Sequence, residues 1–118
     1  MSMLMLNNKN TTGASISIHL HEYNDKHTVE GDYLDPDSGV TAMTVVLEGA
    51  ATPRIPDASC IWFPLMTYAL TATDITNKNF MFFTVSKNIG RVRVNITVLT
   101  GADANTKINI RYVPNVKV

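Results

Sequence analysis

Hydrophobic and polar positions alternate along much of this chain. Val92, Val94, Ile96 and Val98 interleave with Arg91, Arg93, Asn95 and Thr97. A period of two marks a strand with one dry face and one wet face. Ile108, Ile110 and Tyr112 repeat the pattern after Gly101-Ala102-Asp103-Ala104-Asn105-Thr106. That connection is short and rich in turn formers, so the two strands are expected to pair as an antiparallel hairpin. Arg91, Arg93, Lys107 and Arg111 would then project together from its outer face.

The same alternation runs through the rest of the chain. Residues 1–12 read as an N-terminal arm, with an apolar tip Met3-Leu4-Met5-Leu6 followed by a polar run to Thr12. From Gly13 a strand places Ile16, Ile18 and Leu20 on one side and Ser15, Ser17 and His19 on the other. His27 to Leu34 forms a second, charged and containing Gly31, so an edge position is expected. Asp35-Pro36-Asp37-Ser38-Gly39 is a turn in which Pro presets φ and Gly39 is expected to take a positive φ. Val40 to Glu48 is apolar on both faces and reads as central. Pro53 and Pro56 place residues 49–59 in a loop. Cys60 to Leu65 is a strand stopped or bulged at Pro64. Residues 66–79 are ambiguous between strand and loop, with a turn near Asp74. Phe80 to Ser86 is an aromatic-rich strand. About seven or eight short strands with frequent turn signals and no clear helix predict an all-β fold. The expected architecture is an antiparallel β-sandwich, jelly-roll-like or immunoglobulin-like, over residues 13–118.

Composition narrows the function classes. The formal net charge is zero and only 17% of residues are charged, which argues against a general nucleic-acid binder. The zero conceals an asymmetry. Residues 1–59 carry eight carboxylates against three basic side chains, a net −5, and residues 60–118 carry seven basic side chains against two carboxylates, a net +5. Either these charges are dispersed over solvated faces, the favoured reading, or complementary patches meet within the fold or between copies. No apolar run approaches the roughly 18 residues of a membrane span. The single Cys60 rules out an intrachain disulfide and, in the apolar run Cys60-Ile61-Trp62-Phe63, reads as buried.

The order of elements has a family likeness. Thr12-Gly13-Ala14-Ser15, Thr44-Val45-Val46-Leu47-Glu48-Gly49, Ile61-Trp62, Phe80-Met81-Phe82-Phe83 and Arg91-Val92-Arg93-Val94 follow one another in turn. Over residues 12–114 this resembles small β-sandwich virion structural proteins of tailed bacteriophages, which serve as head decorations, head fibres or tail attachments. The family's Ser-x-Asp-Gly turn after the glycine is replaced here by Ala50-Ala51-Thr52-Pro53-Arg54-Ile55-Pro56-Asp57. The resemblance implies a structural, non-enzymatic protein of the virion, made in the host cytoplasm. It would bind capsid or tail proteins and neighbouring copies of itself, as a homo-oligomer. The expected partner-binding residues are Met3, Leu4, Met5 and Leu6 of the arm and Arg91, Arg93 and Arg111 of the basic face.

Other chemistry is weighed beside this. His19 and His21 share a strand face, with Glu22, Asp25 and His27 nearby, but no second ligand pair with metal-like spacing accompanies them. Asp35 and Asp37 hint at calcium, yet the twelve-residue loop and its closing glutamate are missing. No metal or other cofactor is expected. Trp62, Tyr68 and Tyr23 could form a sugar-stacking platform, which makes a carbohydrate-binding module for host glycans the alternative function. Aromatics in such a run are more often core. No catalytic motif is present, and a thiol in an apolar strand is a poor nucleophile, so no enzyme is expected.

Overall fold

The computed structural model describes residues 3–20, 26–51, 56–86 and 89–114. Among these described residues, nine strands form two antiparallel sheets, and the inner faces of both contribute to one core. The first sheet has the order β1 (Met3–Lys9), β9 (Lys107–Pro114), β4 (Lys26–Leu34), β7 (Asn79–Val85). The second has the order β2 (Gly13–Ala14), β8 (Arg91–Thr100), β5 (Ala42–Ala50), β6 (Phe63–Ala69), with β3 (Ile18–His19) also on β8. Val29, Phe82, Ile108, Ile110 and Tyr112 of the first sheet meet Val45, Leu47, Val92, Val94 and Ile96 of the second. The expected β-sandwich is the fold observed.

The hairpin is not. β8 and β9 are strands, as the alternation predicted, but they lie in opposite sheets. β8 pairs with β5, and β9 pairs with β1 and β4. The reason lies in the connections. Residues 101–106 and 35–41 each carry the chain from one sheet to the other, and they run side by side. Thr41 N donates to Thr100 O at 3.0 Å, and Asp35 Oδ2 accepts from Val40 N at 2.9 Å. Thr106 Oγ1 lies 3.4 Å from Asp35 Oδ1. Gly39 and Gly101 are the point of closest approach: a Cβ on Gly101 would stand 1.7 Å from Gly39 O. Period two records that a strand buries one face; it does not record against which strand.

Other expectations are corrected in the same way. β4 is not an edge strand, because β9 and β7 pair along both its sides. Gly31 is there for space, since a Cβ would lie 2.3 Å from Phe80 Cζ. Ser38, not Gly39, takes the positive φ of the 35–39 turn. The first strand after Gly13 is broken into β2 and β3. Between them Ser15 turns inward, donating to Ile16 O at 2.7 Å and accepting from Val94 N at 3.0 Å, so Ile16 is 75% exposed. Residues Met3–Lys9 are not a free arm but an edge strand on β9. Two register shifts break its alternation, which is how the adjacent Met5 and Leu6 are both buried.

Residues 66–79 resolve into the end of β6 and a short helix α1 (Ala72–Asn77). Thr71 and Asp74 form a capping box, with Asp74 N donating to Thr71 Oγ1 at 3.1 Å and Thr71 N to Asp74 Oδ2 at 2.9 Å. Tyr68 Oη donates to the same carboxylate at 2.6 Å. Burial opposes ionisation of Asp74, and these hydrogen bonds outweigh it, holding the carboxyl below its ordinary value. The predicted irregularity at Pro64 is present as a register shift between β6 and β5. Among the described residues no helix is long and apolar enough to cross a membrane.

Candidate interaction surfaces

The four cations expected on one face are divided between two. Alternation on β8 turns Arg91 and Arg93 to the outer face of the second sheet. Alternation on β9 turns Lys107 and Arg111 to the outer face of the first, on the opposite side of the sandwich. Each arginine is engaged. Arg93 Nε donates to Glu48 Oε1 at 2.7 Å, directly across the β5–β8 ladder. Arg111 Nη1 donates to Asp32 Oδ2 at 3.1 Å, from β9 to β4. Arg91 Nη1 donates to Asp57 Oδ1 at 2.7 Å, with the Arg91 side chain almost wholly buried. All three pairs join an acid from residues 1–59 to a base from residues 60–118. The charge asymmetry therefore meets within the fold, because the topology pairs early strands with late ones.

The pairs on the second sheet organise a loop. The 3-10 turn Asp57–Ser59 and the residues after it lie over the outer face of β8. Ser17 Oγ donates to Asp57 Oδ1 at 2.7 Å and Ser17 N to Asp57 Oδ2 at 3.3 Å. The Ser17 hydroxyl bond is the largest influence on Asp57. With Arg91, and against the smaller effect of burial, it holds that carboxyl below its ordinary value. Trp62 Nε1 donates to Asp57 O at 3.1 Å, and the Arg93 guanidinium sits 4.2 Å from the indole ring centroid. Trp62 is thus not a core residue: it is clamped on the outside of the sheet. Its neighbours Ile61 and Phe63 stand exposed, Ile61 at 85%. Arg91 and Arg93 brace the segment that displays them, and Cys60 is only half-buried. These ion-paired arginines are not a free basic patch.

The outer face of the first sheet carries the other apolar exposure. Met81, Phe83 and Val85 project from β7, at 61%, 56% and 66%. Beside them Lys26 Nζ lies 4.7 Å from the centre of the Phe83 ring. Glu30 is opposite Met81 in the β4–β7 register. Sequence reasoning missed this surface. The signal was present, since Phe80 to Val85 is apolar on both faces while one face alone reaches the core.

The remaining candidates are placed as follows. Of the apolar tip, Met5 and Leu6 belong to the core, Met3 is half-buried and Leu4 is exposed. His19 is exposed on β3, whereas His27 is fully buried, its Nδ1 2.7 Å from Tyr112 Oη and its Nε2 3.0 Å from Ser86 O. A carbonyl only accepts, so the Nε2 facing it carries a proton, and Nδ1 shares its hydrogen bond with the tyrosine hydroxyl. His21, Glu22, Tyr23 and Asp25 lie outside the described residues. No group of metal-ligating side chains is assembled among the described residues. Of the proposed sugar platform, Tyr68 stacks on Phe82 at 5.1 Å against the core, whereas Trp62, just before the same strand, is held on the outer face, so these two do not share a surface. A small cavity of about 220 Å³ between α1 and the 35–40 turn is lined by Asp35, Ser38, Val40, Ile75, Thr76 and Lys78. Lys78 spans it, donating to Asp35 O at 3.0 Å.

No protein-family model matches the chain, and no curated protein matches it either. Among solved structures, the chain is similar to a chain of a picornavirus capsid, from a massively expanded equine rhinitis A virus particle. The identity is 11% and the TM-score 0.48, and the alignment covers 95% of this chain and 66% of that one.

Proposed function

We propose that the chain is a non-enzymatic structural protein of a virus particle, an accessory sandwich that packs against other virion proteins. The observation that carries this reading is the distribution of exposed apolar side chains. Ile61 and Phe63 stand exposed at the start of β6, and Met81, Phe83 and Val85 on the outer face of the first sheet. Such exposure marks association surfaces. The resemblance of the sequence motifs over residues 12–114 to small virion proteins of tailed bacteriophages points the same way. In this reading the protein sits on a capsid or tail surface, and the braced 57–63 segment is one docking element. The arginines act indirectly, holding that element in place rather than contacting the partner.

The test is the composition of the particle. Virions purified from the source that encodes this chain are digested and their peptides quantified by mass spectrometry. Peptides of this chain in fixed ratio to the major particle proteins are expected. Their absence from purified particles, with the chain present in the infected cell, overturns the reading.

A further inference from the structure

A sandwich has four edges, and here three of them are blunted. β1 carries Lys9 and two register shifts. The β2–β3 edge is broken at Ser15. β6 begins with a proline at its second position and a shift in register beside it. Charges, prolines, bulges and interruptions are the devices by which exposed edges are kept from pairing with other chains. The fourth edge, β7, has none of them. Asn79-Phe80-Met81-Phe82-Phe83-Thr84-Val85 holds no charge, proline or glycine, and its register with β4 runs unbroken from Lys26↔Val85 to Asp32↔Asn79. Among the described residues no strand pairs with its other side. The second sheet touches it through Thr84 Oγ1, which donates to Leu65 O at 3.5 Å.

We propose that β7 is a self-association edge, pairing antiparallel with β7 of a second copy about a two-fold axis through Phe82. The occupant follows from the pattern of the strand. An antiparallel two-fold centred on Phe82 sets Met81 opposite Phe83 of the second copy, and Phe83 opposite its Met81. The outer stripe therefore covers itself, large apolar side chain against large apolar side chain, in two equivalent rows. The charges beside the stripe do not oppose this pairing. In the β4–β7 register Lys26 is in line with Val85, and Asp32 with Asn79. The same two-fold puts Val85 opposite Asn79 of the second copy, so the row that begins at Lys26 ends at that copy's Asp32. No row sets like charge against like, and Asp32 stays paired with Arg111 of its own sheet. The product is one continuous eight-stranded sheet. This inference does not depend on the virion reading: it concerns two copies of this chain, whatever else they bind.

The test begins with the solution mass of the full chain by sedimentation and light scattering, over a concentration series reaching the hundred-micromolar range. Twice the mass of one chain is expected at the upper end, and a single-chain mass throughout overturns the proposal. Two variants then test the register. Phe83→Glu places its carboxylate beside Lys26, and Met81→Lys places its ammonium beside Glu30, so each is matched to its own sheet. Each alone is expected to be folded by circular dichroism and monomeric. Mixed in equal amounts they are expected to dimerise, because in the proposed register position 83 of one faces position 81 of the other. Folded variants that remain dimeric overturn the edge, and a mixture that stays monomeric overturns the register. If a variant fails to fold, hydrogen exchange of the β7 amides in the unmodified chain takes its place. Protection that rises with concentration is expected, and concentration-independent exchange overturns the proposal.

Discussion

Asp57 and Arg91 are 34 residues apart, yet Asp57 Oδ1 accepts from Arg91 Nη1 at 2.7 Å, and their side chains are 41% and 3% exposed. The pair is lopsided: a buried cation is neutralised by a carboxylate that stays half in water. Removing the carboxylate strands the guanidinium, whose cost dominates the change. Asp57→Asn keeps the shape and removes the charge. Denaturant unfolding at neutral pH should show a loss of about 1–2 kcal/mol, less than for a pair buried on both sides. Because Ser17 and Arg91 hold the Asp57 pKa below its ordinary value, the ionised carboxylate favours the folded state. That stabilisation is complete above the ordinary carboxylate pKa and is lost as pH falls through the lower, folded-state value. Unfolding free energies of the original and Asp57→Asn chains should therefore differ most at neutral pH and converge in acid. A constant gap across the whole range would mean that the ionisation of Asp57 does not carry the difference.

Gly31 on β4 lies beneath the Phe80 ring, where a Cβ would come within 2.3 Å of Cζ. The ring in turn belongs to an aromatic stack with Phe82, at 6.4 Å, and Tyr68, at 6.3 Å. It cannot yield freely. Gly31→Ala should cost about 1–3 kcal/mol through overpacking. Phe80→Leu should also destabilise, by opening space under the stack. The double variant should lose less than the sum, since each change relieves the other. Additive losses in urea unfolding would show that ring and glycine do not press on one another.

Deleting residues 1–9 tests β1. A free arm can be removed at no cost to the rest. Here the deletion takes Met5 and Leu6 out of the core and uncovers the β9 edge, including the bond from Asn8 N to Asn109 Oδ1 at 3.0 Å. Two buried apolar side chains alone are worth about 3–6 kcal/mol. The shortened chain should melt well below the full one, or not fold. Equal melting temperatures would place these residues outside the cooperative unit.

These cases show what the alternation of the chain did and did not carry. Alternation assigns Val92, Val94, Ile96, Val98, Ile108, Ile110 and Tyr112 to the interior; all are fully buried except Val98, which lies beyond a register shift between β8 and β5 and is 43% exposed. Strand existence and inner face are local properties, set by whichever side chains leave water. Pairing is not local. Among the described residues, β5 and β6 are the only sequence-adjacent strands that pair with each other. The connections at Gly39 and Gly101, which decide the pairing, depend on two backbones meeting 62 residues apart. β1 was illegible because its bulges erase the period. Trp62 was misleading because a tryptophan between Ile61 and Phe63 reads as core, whereas Arg93 and the carbonyl of Asp57 hold it on the outer surface. The basic face dissolved for the same reason, once β8 and β9 parted.

Trp62 is the one tryptophan in the chain, so its fluorescence reports this clamp. Arg93→Ala removes the cation over the indole and leaves Glu48 without its partner across the ladder. The emission should move to the red and acrylamide quenching should rise, with little change in circular dichroism. The loss of stability should be about 1 kcal/mol, since the pair is only partly buried. Unchanged quenching would mean that the 57–63 segment is held by Asp57 alone.

Gly101 is the residue on which the crossing of the sheets turns. Its φ of +88° lies where other residues are strained, and a Cβ there would meet Gly39 O at 1.7 Å and Gly39 C at 2.6 Å. Both obstacles are backbone, so no rotamer change relieves them. Gly39 has no positive φ, and its own Cβ would lie 2.5 Å from Gly101 O. Gly101→Ala combines strain and collision, while Gly39→Ala meets collision alone. The first should therefore be the more damaging, at about 3 kcal/mol or more, the sum of roughly 1–3 kcal/mol of backbone strain and a similar cost of overpacking. Moving the loops apart to admit either methyl also loosens the Thr106 contact with the buried Asp35, so both variants should speed hydrogen exchange at Val40, whose amide that carboxylate holds. Equal, small losses in the two variants would show that the connections slide past one another freely, and that something other than this contact keeps β8 and β9 in separate sheets.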